Sequence, residues 1–148
     1  MIADGLPLLE QMRGTRNEAA LGICRRAVVT ALLEQDDLDR ARPLAQVGWR
    51  QAGRFAALAH AAWPDLLALL AALERRPRAA AKLLGWGDAG WARSGRKRGA
   101  TTLTAIQRAE SIASGLLGDE TFAQLRREGA LLRSEDVDAI AFAAEDVS

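Results

Sequence analysis

The sequence has one cysteine, one histidine, four prolines and no tyrosine. A lone Cys24 forms no internal disulfide and no cysteine-pair zinc site, and it fits a reducing cytosol. It falls on an apolar helical stripe, where it reads as a small hydrophobe rather than a nucleophile. A lone His60 gives a catalytic triad or a histidine-paired metal site little to work with. Charge of one sign is not in excess: 20 basic and 19 acidic residues leave a net charge of +1, so bulk charge does not point to nucleic acid. No uncharged apolar run reaches the ~20 residues that span a bilayer. The opening MIADGLPLLEQM has an early Asp4 and no basic region, so it does not read as a secretory signal. No segment alternates apolar and polar residues with a period of two, so no sheet is expected. Carboxylate pairs such as Asp36/Asp37, Asp119/Glu120 and Glu135/Asp136 sit at turns and helix starts, where capping explains them. No nucleophile, base and orienting group come together, which points to a non-catalytic protein without a cofactor or metal.

What is present is helical. Apolar residues make up 49% of the 148, with Ala, Leu and Arg dominant. The chain is expected to be all-α, with about seven helices in one domain over 17–148, after a segment or short helix over 1–16 carrying Leu6, Leu8, Leu9 and Met12. Asn17 caps a first helix with Leu21, Cys24, Val28 and Leu32 on one stripe. Asp36 marks the turn. Leu38, Ala41, Ala45, Gly48, Ala52 and Phe55 form the cleanest stripe in the chain, and its small residues permit close helix approach. Pro43 requires either a cap at Asp39 or a kinked first turn, and Gly53 ends the helix. Pro64 then starts a firm helix after a short turn, with Asp65 near its N-terminal dipole and Arg75 and Arg76 in its last turn.

Pro77 starts a helix with Ala80, Leu83, Leu84 and Gly87 inside and Gly95 as its stop, followed by a basic linker over 94–100. Thr101, Thr102 or Thr104 caps the next helix, whose stripe is Ile106, Ala109, Ile112 or Ala113, and Leu116. Gly118 suits a left-handed helix end. Asp119 caps a helix ending at Gly129, and Ser134 caps a last one with Val137, Ile140, Ala141 and Ala144 on its apolar face.

Two units align, each a helix, a turn and a second helix. Their key alanines, Ala41 and Ala80, are 39 residues apart, against the ~34 of a tetratricopeptide repeat. Arg76-Pro77-Arg78-Ala79-Ala80-Ala81-Lys82-Leu83-Leu84-Gly85 resembles a segment near the end of large bacterial transcriptional regulators. Leu117-Gly118-Asp119-Glu120-Thr121-Phe122, then Glu128-Gly129-Ala130-Leu131 and Ser134-Glu135-Asp136, resembles their closing segment. These are the multidomain signal-transduction ATPases of the LuxR-type, maltose-activator-like and winged-helix kinds. The resemblance covers roughly 17–145. It implies tetratricopeptide-like antiparallel helical hairpins, a cytoplasmic location, and binding of a protein partner or small-molecule inducer on behalf of attached ATPase and DNA-binding domains. The chain itself has no phosphate-binding loop and no identifiable DNA-reading helix. It departs from the family's Ala-rich pattern at Trp86-Gly87-Asp88-Ala89-Gly90-Trp91, where glycines costing about 1 kcal/mol each predict a bend, an early end or a close contact.

Three sets of residues are candidates for binding. By repeat position, Arg26, Thr30, Asp65 and Leu69 would face a groove, with Arg25 and Arg26 suited to an acidic or phosphorylated partner; the same residues also read as an ordinary helix face. Trp49, Trp86 and Trp91 would anchor a partner, Trp49 being the most exposed by its place off the stripe, or else pack in the core. Arg93, Arg96, Lys97 and Arg98 would touch nucleic-acid phosphates, or form a solvated loop. Homodimerisation, as a free-standing scaffold, is a further expectation, because a helical array exposes an apolar end unless capped; Glu145 and Asp146 suit one such end.

Overall fold

The computed structural model describes residues 18–52 and 57–146, the side chains of 18–21 and 57–61 excepted. The expectations for residues 1–17, for Gly53 and Phe55, and for the side chains of Leu21 and His60 lie outside these. Among the described residues the protein is all-α, with seven helices and no strand: α1 (Glu18–Glu34), α2 (Leu38–Ala52), α3 (Ala57–Leu73), α4 (Pro77–Ser94), α5 (Ala100–Leu117), α6 (Asp119–Gly129) and α7 (Ser134–Ala141). The chain divides into two compact units at Trp63–Pro64, within α3.

In the first unit α1 packs on α2. Val28, Val29, Leu32 and Leu33 of α1 are buried, as are Ala41, Ala45, Gly48, Trp49 and Ala52 of α2. Gly48 is where closeness matters most, since a Cβ there would overlap the Trp63 ring. Trp49 is buried rather than exposed. Trp49 is four residues after Ala45 and three before Ala52, so it stands beside both on the helix surface, and the buried face widens to take it in. Pro43 lies within α2, beyond the first turn. The cap is not Asp39. It is Asp37, whose carbonyl accepts the Ala41 amide at 3.1 Å and whose carboxylate accepts the Arg40 amide at 3.4 Å.

Pro64 does not start a helix. α3 runs through it without interruption. The proline removes one backbone donor, and burial of 62–72 on all sides outweighs that loss. Asp65 is therefore an interior residue of the helix, remote from a helix N-terminus.

The α1–α2 and α3–α4 junctions use one backbone device. Asp36 has φ 57° and Arg75 has φ 63°. The Asp37 amide donates to Leu32 O at 2.9 Å, and the Arg76 amide to Ala71 O at 2.8 Å. The Asp36 amide donates to Leu33 O and the Arg75 amide to Ala72 O, both at 3.1 Å. Each junction is a Schellman motif with a non-glycine residue in the left-handed position. The following helix opens alike in both, Ala41 donating to Asp37 O and Ala80 to Arg76 O, each at 3.1 Å. Every equivalent pair is 39 residues apart.

In the second unit α4 is central. It packs most extensively on α6 and also meets α5 and α7, while α5 packs on α6. Pro77 occupies its first turn and Gly95, at φ 70°, ends it. Between Ala79 and Gly87 only Lys82 is not buried. A helix apolar all round belongs in a core, and Leu83 and Leu84 each contribute about 1.5–3 kcal/mol of burial. The α4–α6 contact is backbone to backbone. A Cβ on Gly85 would overlap the Arg126 carbonyl, and one on Gly129 would overlap the Lys82 carbonyl.

The ends of the helices differ from expectation in detail. α5 begins at Ala100 with Gly99 before it; Thr101, Thr102 and Thr104 lie inside it, and the Thr104 hydroxyl donates back to Ala100 O at 3.0 Å. Of its stripe, Ile106, Ala109 and Ala113 are buried and Leu116 is exposed; Ala105, off the stripe as read, is buried too. Gly118 has positive φ (86°) but an extended ψ of 151°, and it stands as the residue before α6 in place of Asp119. Arg133 precedes α7 in place of Ser134, its amide donating to Asp136 at 3.4 Å. Val137 and Ala141 are buried, whereas Ala144 is exposed beyond the helix.

Arg76 is buried and does more than sit in a last turn. Its guanidinium donates to Ile140 O at 2.9 Å and Ala141 O at 2.7 Å, the final carbonyls of α7, and pairs with Glu74 at 2.6 Å. Asp146 works in the opposite sense: its carboxylate accepts the Arg78 and Ala79 amides at 3.0 and 2.9 Å, at the positive end of α4.

Candidate functional site

The segment Trp86–Trp91 contributes Trp91 and Asp88 to an extended polar cluster among the described residues. α4 continues straight through the segment, and the predicted close contact is what is found. Gly87 leaves room for Asp65 of α3: a Cβ there would stand 2.6 Å from Asp65 Oδ1. Trp91, one turn on, donates its indole N–H to Asp65 Oδ2 at 2.7 Å. Asp88 points at the α4–α5 loop and at α6.

Arg98 closes the cluster. Its Nε donates to Asp65 Oδ2 and its Nη2 to Asp65 Oδ1, both at 3.1 Å, in the two-pronged geometry that a guanidinium and a carboxylate share. Its Nη1 donates to Asp88 at 2.8 Å, and the guanidinium lies 6.0 Å from the centre of the Trp91 ring. Arg126 of α6 extends the chain of charges. It donates to Asp88 Oδ2 at 2.7 Å and Oδ1 at 3.0 Å and to Glu110 of α5 at 2.9 Å, and it lies over Phe122. Three carboxylates and two guanidiniums thus alternate from α3 to α5.

Burial sets the protonation balance. It pushes the Asp65 carboxyl above the usual carboxylate range, against the pull of Arg98 and Trp91. Burial acts on Asp88 in the same direction, but the hydrogen bonds and charges of Arg126 and Arg98 outweigh it and hold that carboxyl low. Arg98 is held protonated by Asp65 and Asp88 despite its own burial. Hydrogen bonds from Arg126 to Asp88 and Glu110 likewise outweigh its burial and hold it firmly charged. The chemistry this arrangement offers is positional: it ties a loop to four helices, α3 to α6. Its carboxylates are occupied by arginine donors.

The candidate binding residues separate into interior and surface groups. Asp65 and Leu69 are buried, so neither presents a surface to a partner, and Arg25 is also buried. Arg26 and Thr30 are half-buried on α1, with the Thr30 hydroxyl donating to Arg26 O at 2.7 Å. Trp49 and Trp86 are core residues, Trp86 donating to Leu132 O at 3.0 Å, and Trp91 is half-buried against Asp65. The basic stretch divides. Arg98 turns inward, while Arg93, Arg96 and Lys97 are exposed. The free thiol of Cys24 is half-buried.

Glu110 and Arg126 are positioning residues that sequence patterning does not single out; Arg76, Asp88 and Asp146 stand out in the sequence, but their partners do not. The one local signal was the glycine beside Asp88, which marks a close approach. Among the described residues no helix is long and apolar enough to cross a membrane, and no group of three or more metal-ligating side chains occurs. Comparison of the chain with family models, with curated proteins and with solved structures gives no match.

Proposed function

We propose that the chain is a non-catalytic binding module of tetratricopeptide-like helical hairpins, serving a bacterial transcriptional regulator in the cytoplasm. The observation that carries this is the repeated junction, with its matching left-handed residues at Asp36 and Arg75. Repeated helix–turn–helix units suit the stacking of surfaces for a protein partner or a small inducer. Occupation of such a surface would shift packing between helices and bias attached ATPase and DNA-binding domains. The resemblance of Arg76–Gly85 and Leu117–Asp136 to the closing part of those regulators favours this setting. Gly85 and Gly129, from the two resembling segments, meet the backbone of each other's helix.

The test is a thermal-shift and calorimetric screen of the purified chain against small-molecule inducers and against regulator ATPase domains. A binder that raises the melting temperature saturably and is recovered unchanged supports the reading. A ligand chemically converted by the chain, or no binder in either class, overturns it.

A second reading has its own observation. Arg93, Arg96 and Lys97 are exposed on and beside one short loop, with no ion pair among the described residues. Direct nucleic-acid binding through them would show as a complex that weakens steeply with salt, with a slope of about −0.9 per phosphate neutralised. Absence of binding at low salt removes it.

A further inference from the structure

α1 has two apolar faces. Val28, Val29, Leu32 and Leu33 are buried on one. The other carries Ile23, Ala27, Thr30 and Ala31. Ile23 is 60% exposed and Ala27 is exposed. The Thr30 hydroxyl is spent on Arg26 O, so the residue offers its methyl. The 39-residue repeat supplies a counterpart for each position: Ala62, Leu66, Leu69 and Leu70 of α3, all buried. The same face of the repeat is therefore covered in one helix and open in the other. A single exposed apolar residue is ordinary. A helix apolar on both sides is a helix that packs on both sides.

We propose that this face of α1 binds the same face of a second copy, as an antiparallel two-fold pair. The charges on and beside the face select that occupant. Arg26 and Glu34 have opposite signs, lie two turns apart, and make no ion pair among the described residues. Set about a two-fold axis midway between Ala27 and Thr30, each Ala27 meets the partner's Thr30. Each Arg26 then lies within one helical turn of the partner's Glu34. The contact occurs twice, as an isologous interface requires. Parallel pairing would instead set Arg26 beside the partner's Arg26. Ala27 and Ala31 let the helices approach closely, and at each end Ile23 lies along the methylenes of Glu34 in the second copy, whose carboxylate reaches on towards Arg26. One helix face per copy is less than the ~1,200 Å² of a standard interface, so the dimer forms at micromolar concentrations and above.

Sedimentation of the full chain across that concentration range tests this. The mass rises from one copy to two in the native protein. Ile23→Glu leaves a monomer with an unchanged circular dichroism spectrum. Arg26→Glu and Glu34→Arg, each placing two like-charge pairs in the interface, weaken association about tenfold, and combining them restores it. A monomer at every concentration overturns the proposal. So does association that survives Ile23→Glu, or a double variant no tighter than the single ones.

Discussion

Arg98 reaches back 33 residues to hold both oxygens of Asp65, a carboxylate with no exposed surface. Removing the arginine leaves a buried charge without its counter-ion. Arg98→Ala should therefore cost about 3 kcal/mol or more. Asp65→Asn combined with Arg98→Gln should cost less than the two single changes together, because neither buried group is then an unpaired ion. Urea unfolding of the four proteins measures this, and additive costs would refute the coupling.

Asp65 and Asp88 should respond to acid in opposite senses. The native chain binds the Asp65 proton more tightly than the unfolded chain does, since burial raises that carboxyl above its ordinary 3.8. Ionised Asp65 thus weighs against the fold at neutral pH, and the cost fades as pH falls through its raised value. Asp88 is held below 3.8. It stabilises the fold above that value and loses the contribution as pH falls through its lowered one. The stability of the native chain relative to Asp65→Asn should grow as pH drops from neutral towards about 4. Relative to Asp88→Asn it should shrink below about 4. Unfolding midpoints across this range give both slopes.

The glycines of α4, α5 and α6 should divide into two classes. Gly85→Ala and Gly129→Ala drive a methyl into a neighbouring carbonyl and should each cost about 3 kcal/mol or more. A Cβ on Gly90 or Gly115 would meet no group outside its own stretch of helix within 4 Å. Alanine at either should stabilise by about 0.5–1 kcal/mol through helix propensity alone. Thermal melts of the four variants separate the classes.

Arg76 and Asp146 stitch the end of the described chain to the α3–α4 junction. Asp146→Ala should cost about 1 kcal/mol, the value of a lost helix cap. Arg76→Ala removes the donor for two carbonyls and should cost about 1–3 kcal/mol. Hydrogen exchange should accelerate in α7 for Arg76→Ala, with the early amides of α4 responding instead to Asp146→Ala.

Features written in local chemistry were legible in the sequence. Pro77 and Gly95 bound α4 as their backbone preferences require, and the Ala41–Ala80 spacing marks a real backbone repeat. Pro64 misled because local propensity favours a helix start there, whereas packing carries α3 through it. The basic loop misled differently. Arg98 is identical in type to Arg93 and Arg96, and only a partner 33 residues away distinguishes it. Asp65 carried the same ambiguity. A carboxylate after a proline looks like a dipole partner, and its burial is decided by a glycine and a tryptophan on another helix. Trp86–Trp91 was legible as a departure, but its purpose was not, because closeness to α3 is a property of tertiary contact.

The matching junctions at Asp36 and Arg75 give the chain a unit of length. Lengthening or shortening it by one whole unit keeps a tolerated residue at the left-handed position and leaves each new helix in phase. One or two residues inserted within a helix turn its later side chains off their face, by about 100° for each residue added, whereas seven nearly restore the phase. Variation between chains built this way is therefore expected to come in steps, with changes of one or two residues absorbed only between units.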